Sequence, residues 1–148
     1  MRIVLASDHQ GFDYKNHLKD FLLEKGYEIL DVGTFLEHKQ VDYPDFGFKA
    51  AEFVSTGKAD RGILFCLNGT GMQMVANKVK NLRAALCLNQ EMAQFARSHN
   101  DANILIIATK YTDYEEVEKI TETFLTNKFE GGRHSRRINQ IKEYDRND

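Results

Sequence analysis

The sequence predicts an α/β fold, a three-layer α/β/α Rossmann-like domain with a five-stranded parallel sheet and a C-terminal helix. The first observation is that apolar, strand-like runs alternate five times with helical stretches. The second is the run from Asn103 to Ala108, which is apolar from Ile104 onward, as strands buried on both faces are. With 148 residues, we expect a single domain, 1–148, with right-handed crossovers.

Five runs are predicted as strands. They lie at residues 2–6, 27–32, 61–66, 83–87 and 103–108. Polar residues or glycines end the early strands. Ser7-Asp8-His9, for example, follows the strand at residues 2–6. Between residues 33 and 44 the spacing predicts a loop, which ends at the only proline, Pro44.

Helical periodicity fills the intervals between the strands. The first predicted helix runs roughly from Phe12 to Lys25, with an apolar face and Gly26 as its stop. The second predicted helix follows a cap at Asp45 and ends at Gly57, and the third spans 72–79. The fourth runs from a cap at Asn89 to about residues 98–100. The fifth begins at the Asp113–Glu116 capping box, and the last spans 133–143.

Composition excludes several classes of function. Apolar residues make up 42% and charged residues 28%, which is typical of a globular protein. The net charge of −2 argues against a general nucleic-acid-binding protein. No apolar run reaches membrane-spanning length, and the apolar start meets Ser7 too soon for a signal peptide. We therefore expect a cytoplasmic protein with Cys66 and Cys87 reduced.

The stretch from Gly62 to Met72 combines a strand, a glycine-bearing turn and the start of a helix. Gly69 and Gly71 allow backbone N–H groups to approach a ligand, and the helix N-terminus favours an anion. Cys66 ends the strand, where a helix N-terminus is expected to lower its pKa and favour a thiolate nucleophile or base. The alternative is a tight turn beside an inert, buried cysteine.

In parallel sheets, ligands bind beyond the carboxyl ends of the strands. Asp8 and His9 follow strand one, and residues 66–71 follow strand three. We group with them His99 and Asn100, in the connection before strand five. The alternation alone also permits a flavin or nucleotide binder of the flavodoxin type.

The C-terminal segment is rich in arginine. Arg133 and Arg137 lie four residues apart on one helix face, after a Gly-Gly pair, and two guanidinium groups suit a phosphate. The alternative is a solvated basic helix end. Taken together, the residues suggest a small phosphorylated substrate, proton-transfer chemistry and no metal-ligand cluster.

Blocks along nearly the whole chain resemble the type B ribose-5-phosphate isomerases, a family that includes galactose-6-phosphate isomerase subunits. The matching blocks are Ser7-Asp8-His9 with Gly11-Phe12, Val41-Asp42-Tyr43-Pro44-Asp45, Ala59-Asp60-Arg61-Gly62-Ile63-Leu64, Ala76-Asn77-Lys78-Val79, Arg83-Ala84-Ala85-Leu86-Cys87, His99-Asn100-Asp101-Ala102-Asn103 and Phe129-Glu130-Gly131-Gly132-Arg133-His134.

The resemblance implies an aldose–ketose isomerase of sugar phosphates, in carbohydrate metabolism and the pentose phosphate pathway. Cys66 matches the base that moves a proton between C2 and C1, His99 the ring-opening histidine, and Asp8 an acid that contacts hydroxyls. The remaining implied substrate contacts are His9, Tyr43, Asn68, Gly69, Thr70, Gly71, Asn100, Lys110, Arg133 and Arg137. The family forms homodimers, often paired into tetramers, with the site between subunits, and needs no metal or organic cofactor.

The chain departs from the family pattern at the turn. Leu67 stands where the family has glycine, and Asn68 where it has threonine. Met72 stands where one branch carries a glutamate base, which leaves Cys66 as the base, and Lys110 replaces a common arginine. The main expectation is conversion of ribose 5-phosphate to ribulose 5-phosphate. Galactose or allose 6-phosphate, or a non-catalytic sugar-phosphate-binding module, are the alternatives.

Overall fold

The computed structural model describes residues 1–147 and confirms the alternation of strands and helices. The strands are β1 (Arg2–Ser7), β2 (Glu28–Asp31), β3 (Arg61–Cys66), β4 (Ala84–Leu86) and β5 (Ile104–Ala108). The helices are α1 (Phe12–Glu24), α2 (Tyr43–Ser55), α3 (Thr70–Asn77), α4 (Gln90–Ser98), α5 (Tyr114–Thr126) and α6 (Arg133–Arg146), and a 3₁₀ turn (His9–Gly11) precedes α1.

The five strands form one sheet in the order β2-β1-β3-β5-β4, and every neighbouring pair is parallel. The chain therefore steps outward from β1 to β2, then crosses back to place β3 on the other side of β1. That reversal creates a switch point, beyond which ligands bind in open α/β sheets. The strand order could not be read from the sequence, although the parallel α/β class could.

Helices cover both faces of the sheet. On one face Leu18 of α1, Ala96 of α4 and Ile120 of α5 pack in a fully buried cluster. On the other, residues of α2 and α3 such as Met72 pack with Cys66. Both faces of the central strands are thus removed from water, which explains the continuous apolar run of β5.

Two helix starts differ from the prediction. The second helix begins at Tyr43 with Asp42 at its N-cap, so the predicted cap at Asp45 is wrong. Pro44 explains the earlier start, because proline suits the first turn of a helix, where its missing N–H costs nothing. The third helix begins at Thr70, two residues before the predicted start. None of the helices within residues 1–147 has the length and apolarity needed to cross a membrane.

Candidate active site

A pocket of about 360 Å³ opens where β1 and β3 end. Ser7 pairs with Phe65 in the sheet, so the next residues along the two strands, Asp8 and Cys66, emerge side by side. The residues that line the pocket are Asp8, Tyr43, Cys66, Leu67, Asn68, Thr70, Gly71 and Met74. The pocket therefore lies at the switch point of the sheet, as the sequence predicts for its carboxyl edge.

Asp8 is only 7% exposed, and its position is fixed locally. Its Oδ1 accepts hydrogen bonds from the backbone N–H groups of Gln10, at 3.0 Å, and Gly11, at 3.1 Å. Burial raises the pKa of its carboxyl group, while the Gly11 hydrogen bond and the charge of His9 oppose that rise. Because Oδ1 caps the turn, Oδ2 is the oxygen of Asp8 that can meet a ligand.

Burial raises the pKa of the Cys66 thiol above its ordinary value of 9.0. The backbone N–H groups of Met72, Gly69 and Gly71 act in the opposite direction, and the charge of Asp8 adds to the rise. The predicted lowering of this pKa is therefore wrong, because desolvation of a thiol that is 4% exposed outweighs the helix N-terminus. Cys66 accordingly rests as a thiol at neutral pH, close to donors that stabilise its thiolate.

The turn after β3 is held tightly on both sides. Gly69 adopts φ +83°, and a Cβ there would lie 2.6 Å from Leu86 Cδ1. A Cβ on Gly71 would lie 2.6 Å from the ring of Tyr43, so this ring packs directly against the turn. Asn68 Oδ1 accepts the Thr70 N–H at 3.1 Å. The Asn68 side chain thus stabilises the turn.

His9 and Lys110 lie on segments that adjoin the pocket. The Val41 N–H lies 3.2 Å from His9 Nδ1, which ties the loop before α2 to the end of β1. The Lys110 N–H donates to the Leu67 carbonyl at 2.9 Å, so this exposed lysine is attached to the turn that follows β3. Both side chains are therefore near the rim, although neither lines the pocket itself.

His99 and Asn100 lie at the opposite edge of the sheet. Each strand is followed by a helix that returns the chain, so the end of α4 lies where the strands begin, which we call the amino edge. The Asn100 carbonyl accepts a hydrogen bond from Arg83 Nε at 3.2 Å, just before β4 starts. The expectation that these two residues share an edge with Cys66 is wrong within one chain.

Around His99, the amino edge gathers a compact group of rings. The imidazoles of His99 and His134 stack with their centroids 4.2 Å apart, and Phe95 lies 4.7 Å from His99. Glu130 Oε2 lies 4.0 Å from His99 Nε2 and 3.8 Å from His134 Nε2. Glu130 and His134 were not singled out from the sequence, although their spacing of four residues is a signal that could have been used.

Arg133 and Arg137 belong to this same edge. Arg133 opens α6, and Arg137 follows one turn later. Burial lowers the pKa of His134, and the charges of His99, Arg133 and Arg137 lower it further, against the charge of Glu130. Arg133 and Arg137 therefore place two positive charges near His134 at the amino edge.

The ribose/galactose isomerase family model matches residues 3–141. The chain belongs to this family. The match spans both edges of the sheet, from β1 through the first turns of α6. The resemblance inferred from the sequence blocks is thereby confirmed.

Solved structures in the family share the fold closely. Ribose-5-phosphate isomerase B of Clostridium thermocellum is 44% identical, with a TM-score of 0.96 over 99% of both chains. The Mycoplasma genitalium ribose-5-phosphate isomerase B structure with bound ribulose-5-phosphate is 39% identical, with a TM-score of 0.96 over 99% of this chain and 97% of that one. A putative sugar phosphate isomerase of Rickettsia conorii is 44% identical over 95% of this chain and 96% of its own.

Proposed function

We propose that this ribose/galactose isomerase interconverts ribose 5-phosphate and ribulose 5-phosphate. The observation that carries the proposal is the meeting of Cys66, Asp8 and the glycine turn in one pocket at the switch point. The relative from Mycoplasma genitalium, with bound ribulose-5-phosphate, supports the choice of substrate.

In the proposed reaction, the Cys66 thiolate removes the proton from C2 of the open-chain aldose. The electron pair forms a cis-enediolate with its negative charge on O1. The hydroxyl proton then passes from O2 to O1, and the same sulfur returns its proton to C1 as C2=O forms, which gives the ketose. Backbone N–H groups of the turn stabilise the negative oxygen while it exists. Asp8 orients the sugar hydroxyls. His99 assists ring opening, because an imidazole can give and accept a proton near neutral pH.

We further propose that two copies of the chain complete each site. The eight residues lining the Cys66 pocket include no lysine, arginine or histidine. A sugar phosphate is a dianion and is best held by guanidinium forks, which Arg133 and Arg137 offer at the other edge. A homodimer, or a tetramer of two such dimers, would bring the amino edge of one copy to the Cys66 pocket of its partner.

Exposed apolar side chains support an assembly of this kind. Leu67 and Met74, on the pocket rim, are 42% and 62% exposed. Ile141 and Tyr144, near the end of α6, are 47% and 76% exposed. Apolar surface beside both halves of the site is what a shared interface would cover.

A cytoplasmic role in the pentose phosphate pathway is part of the same proposal. Both cysteines are free and buried, which suits a reducing compartment. A thiolate base would also be lost to oxidation outside such a compartment.

The test is a panel of pentose and hexose phosphates followed by NMR with the reduced, full-length protein. We expect signals of ribose 5-phosphate to convert to those of ribulose 5-phosphate. Conversion of galactose or allose 6-phosphate alone would move the proposal to a hexose phosphate. Binding without conversion of any sugar would contradict it and indicate a non-catalytic module.

A further inference from the structure

We propose that His99, Glu130 and His134 form a binding site for a single transition-metal ion of the Zn²⁺ type, and that an ion bound there inhibits the enzyme. We call these three residues the His-Glu-His cluster. The metal-binding part stands on geometry alone, and the inhibition part rests on the proposed function of His99.

The donor atoms of the cluster converge. One ligand atom from each residue lies within 4.8 Å of the other two. Ligands about 2.0 Å from a tetrahedral zinc ion are about 3.3 Å apart, so modest side-chain rotations would close the cluster onto an ion. Two imidazoles and one carboxylate, with a position left for water, is the donor set of an open zinc site.

The backbone holds the three residues together before any ion binds. The Glu130 N–H donates to the Ser98 carbonyl at 3.0 Å, which ties the segment before α6 to the end of α4. His99 follows Ser98 directly, and His134 lies in the first turn of α6. Little of the free energy of binding an ion is therefore lost in gathering ligands from distant parts of the chain.

The electrostatics fit a reversibly bound ion. Glu130 supplies one negative charge to offset part of the charge of an ion held by two imidazoles. Arg133 and Arg137 repel a cation, so the affinity is reduced below that of a structural zinc site. The side chains of Glu130 and His99 are 60% and 34% exposed, which leaves the cluster open to solvent.

Occupancy of the site would stop the proposed chemistry. A metal on His99 Nε2 removes the lone pair with which the ring would accept a proton from the sugar. The ion and its bound water would also lie near Arg133 and Arg137, the residues that the proposed function assigns to the phosphate. Inhibition by Zn²⁺ that a chelator reverses is therefore the expected consequence.

The binding test uses chelator-treated, reduced full-length protein titrated with Zn²⁺ by calorimetry and with Co²⁺ by visible absorption. We expect one ion per chain, and Glu130→Gln or His134→Gln to weaken binding by about tenfold or more. His17→Gln is the matched control. His17 Nε2 lies 3.4 Å from Glu118 Oε2, but among residues 1–147 no second imidazole contacts that carboxylate. This variant should leave binding unchanged.

Lack of saturable binding, or equal binding by wild type and Glu130→Gln, would overturn the site. Circular dichroism checks that each variant folds, and Glu130→Gln changes an exposed side chain, so it keeps the test open if His134→Gln does not fold. Neither readout requires turnover. An absence of metal binding would therefore leave the isomerase proposal standing, and an absence of turnover would leave the metal site standing.

The inhibition test follows turnover of ribose 5-phosphate against Zn²⁺ concentration. We expect inhibition that a chelator reverses, with the half-inhibiting concentration raised about tenfold or more in Glu130→Gln. Equal sensitivity of wild type and Glu130→Gln would overturn the assignment of inhibition to this cluster.

Discussion

The two edges of the sheet divide the chemistry of the molecule between them. At the carboxyl edge, Asp8 and Cys66 lie in a pocket whose lining carries no cationic side chain. At the amino edge, stacked His99 and His134 lie near Arg133 and Arg137. In the proposed function one edge moves a proton and the other holds a phosphate, so one copy of the chain carries both sets of residues but not in one place.

The proposed site shared between two copies follows from this separation. Helices that return the chain necessarily carry their C-terminal residues to the amino edge. A second copy of the chain, unchanged in structure, can supply the cationic side chains that the lining of the Cys66 pocket lacks.

Cys66→Ala should remove the base and lower turnover of ribose 5-phosphate by about 10²- to 10⁴-fold, with binding retained. Steady-state kinetics and a binding titration measure the two properties. Cys87→Ala is the control, because Cys87 is 1% exposed in the cluster on the other face of the sheet. Burial raises the pKa of Cys87 to about 12, so it is no candidate for the base. Equal turnover by both variants would refute the role of Cys66.

Gly69→Ala should lower the free energy of unfolding by about 2 to 4 kcal/mol, because strain at φ +83° adds to a clash with Leu86. Gly57→Ala is the matched control. Gly57 has φ +78° but open space around it, so only the backbone cost of about 1 to 2 kcal/mol applies. Urea denaturation compares the two variants. Equal losses would show that the turn is not tightly packed.

Arg133→Ala should raise KM for ribose 5-phosphate by about 10- to 100-fold, because a charge-assisted hydrogen bond to the phosphate contributes about 1.5 to 3 kcal/mol. Arg136→Ala, an exposed residue of the same helix, should leave KM unchanged. A higher KM in both variants would indicate a general effect of positive charge, not a phosphate clamp.

The pH profile of kcat/KM reports the ionisation of Cys66 in the free enzyme. In the proposed reaction the thiolate is the active form, and burial raises the pKa of the thiol above its ordinary value of 9.0. The rate should therefore keep rising above pH 7, by up to about tenfold per unit, until the pH passes that pKa. A plateau already reached at pH 7 would show that the assembled site lowers this pKa.

The sequence predicted the fold and the pocket better than it predicted the amino edge. Periodicity locates β1 and β3, and parallel pairing then brings Asp8 and Cys66 together. The stacking of His99 on His134 depends on where α4 ends and α6 begins at the amino edge. The periodicity of the sequence does not encode those positions. The raised pKa of Cys66 also escaped prediction, because the helix N-terminus is visible in a sequence and the depth of burial is not.

A cooperation of the two edges across a pair of chains can be tested by mixing a variant that lacks the base with a variant whose KM is raised. Cys66→Ala and Arg133→Ala chains are mixed, dissociated and reassembled. In a mixed dimer, one site then combines both intact edges and the other combines both altered edges. With ribose 5-phosphate kept well below the raised KM, random pairing should restore about a quarter of the wild-type kcat/KM. No recovery in reassembled mixed dimers would contradict the account, because it would mean that each chain builds its site alone.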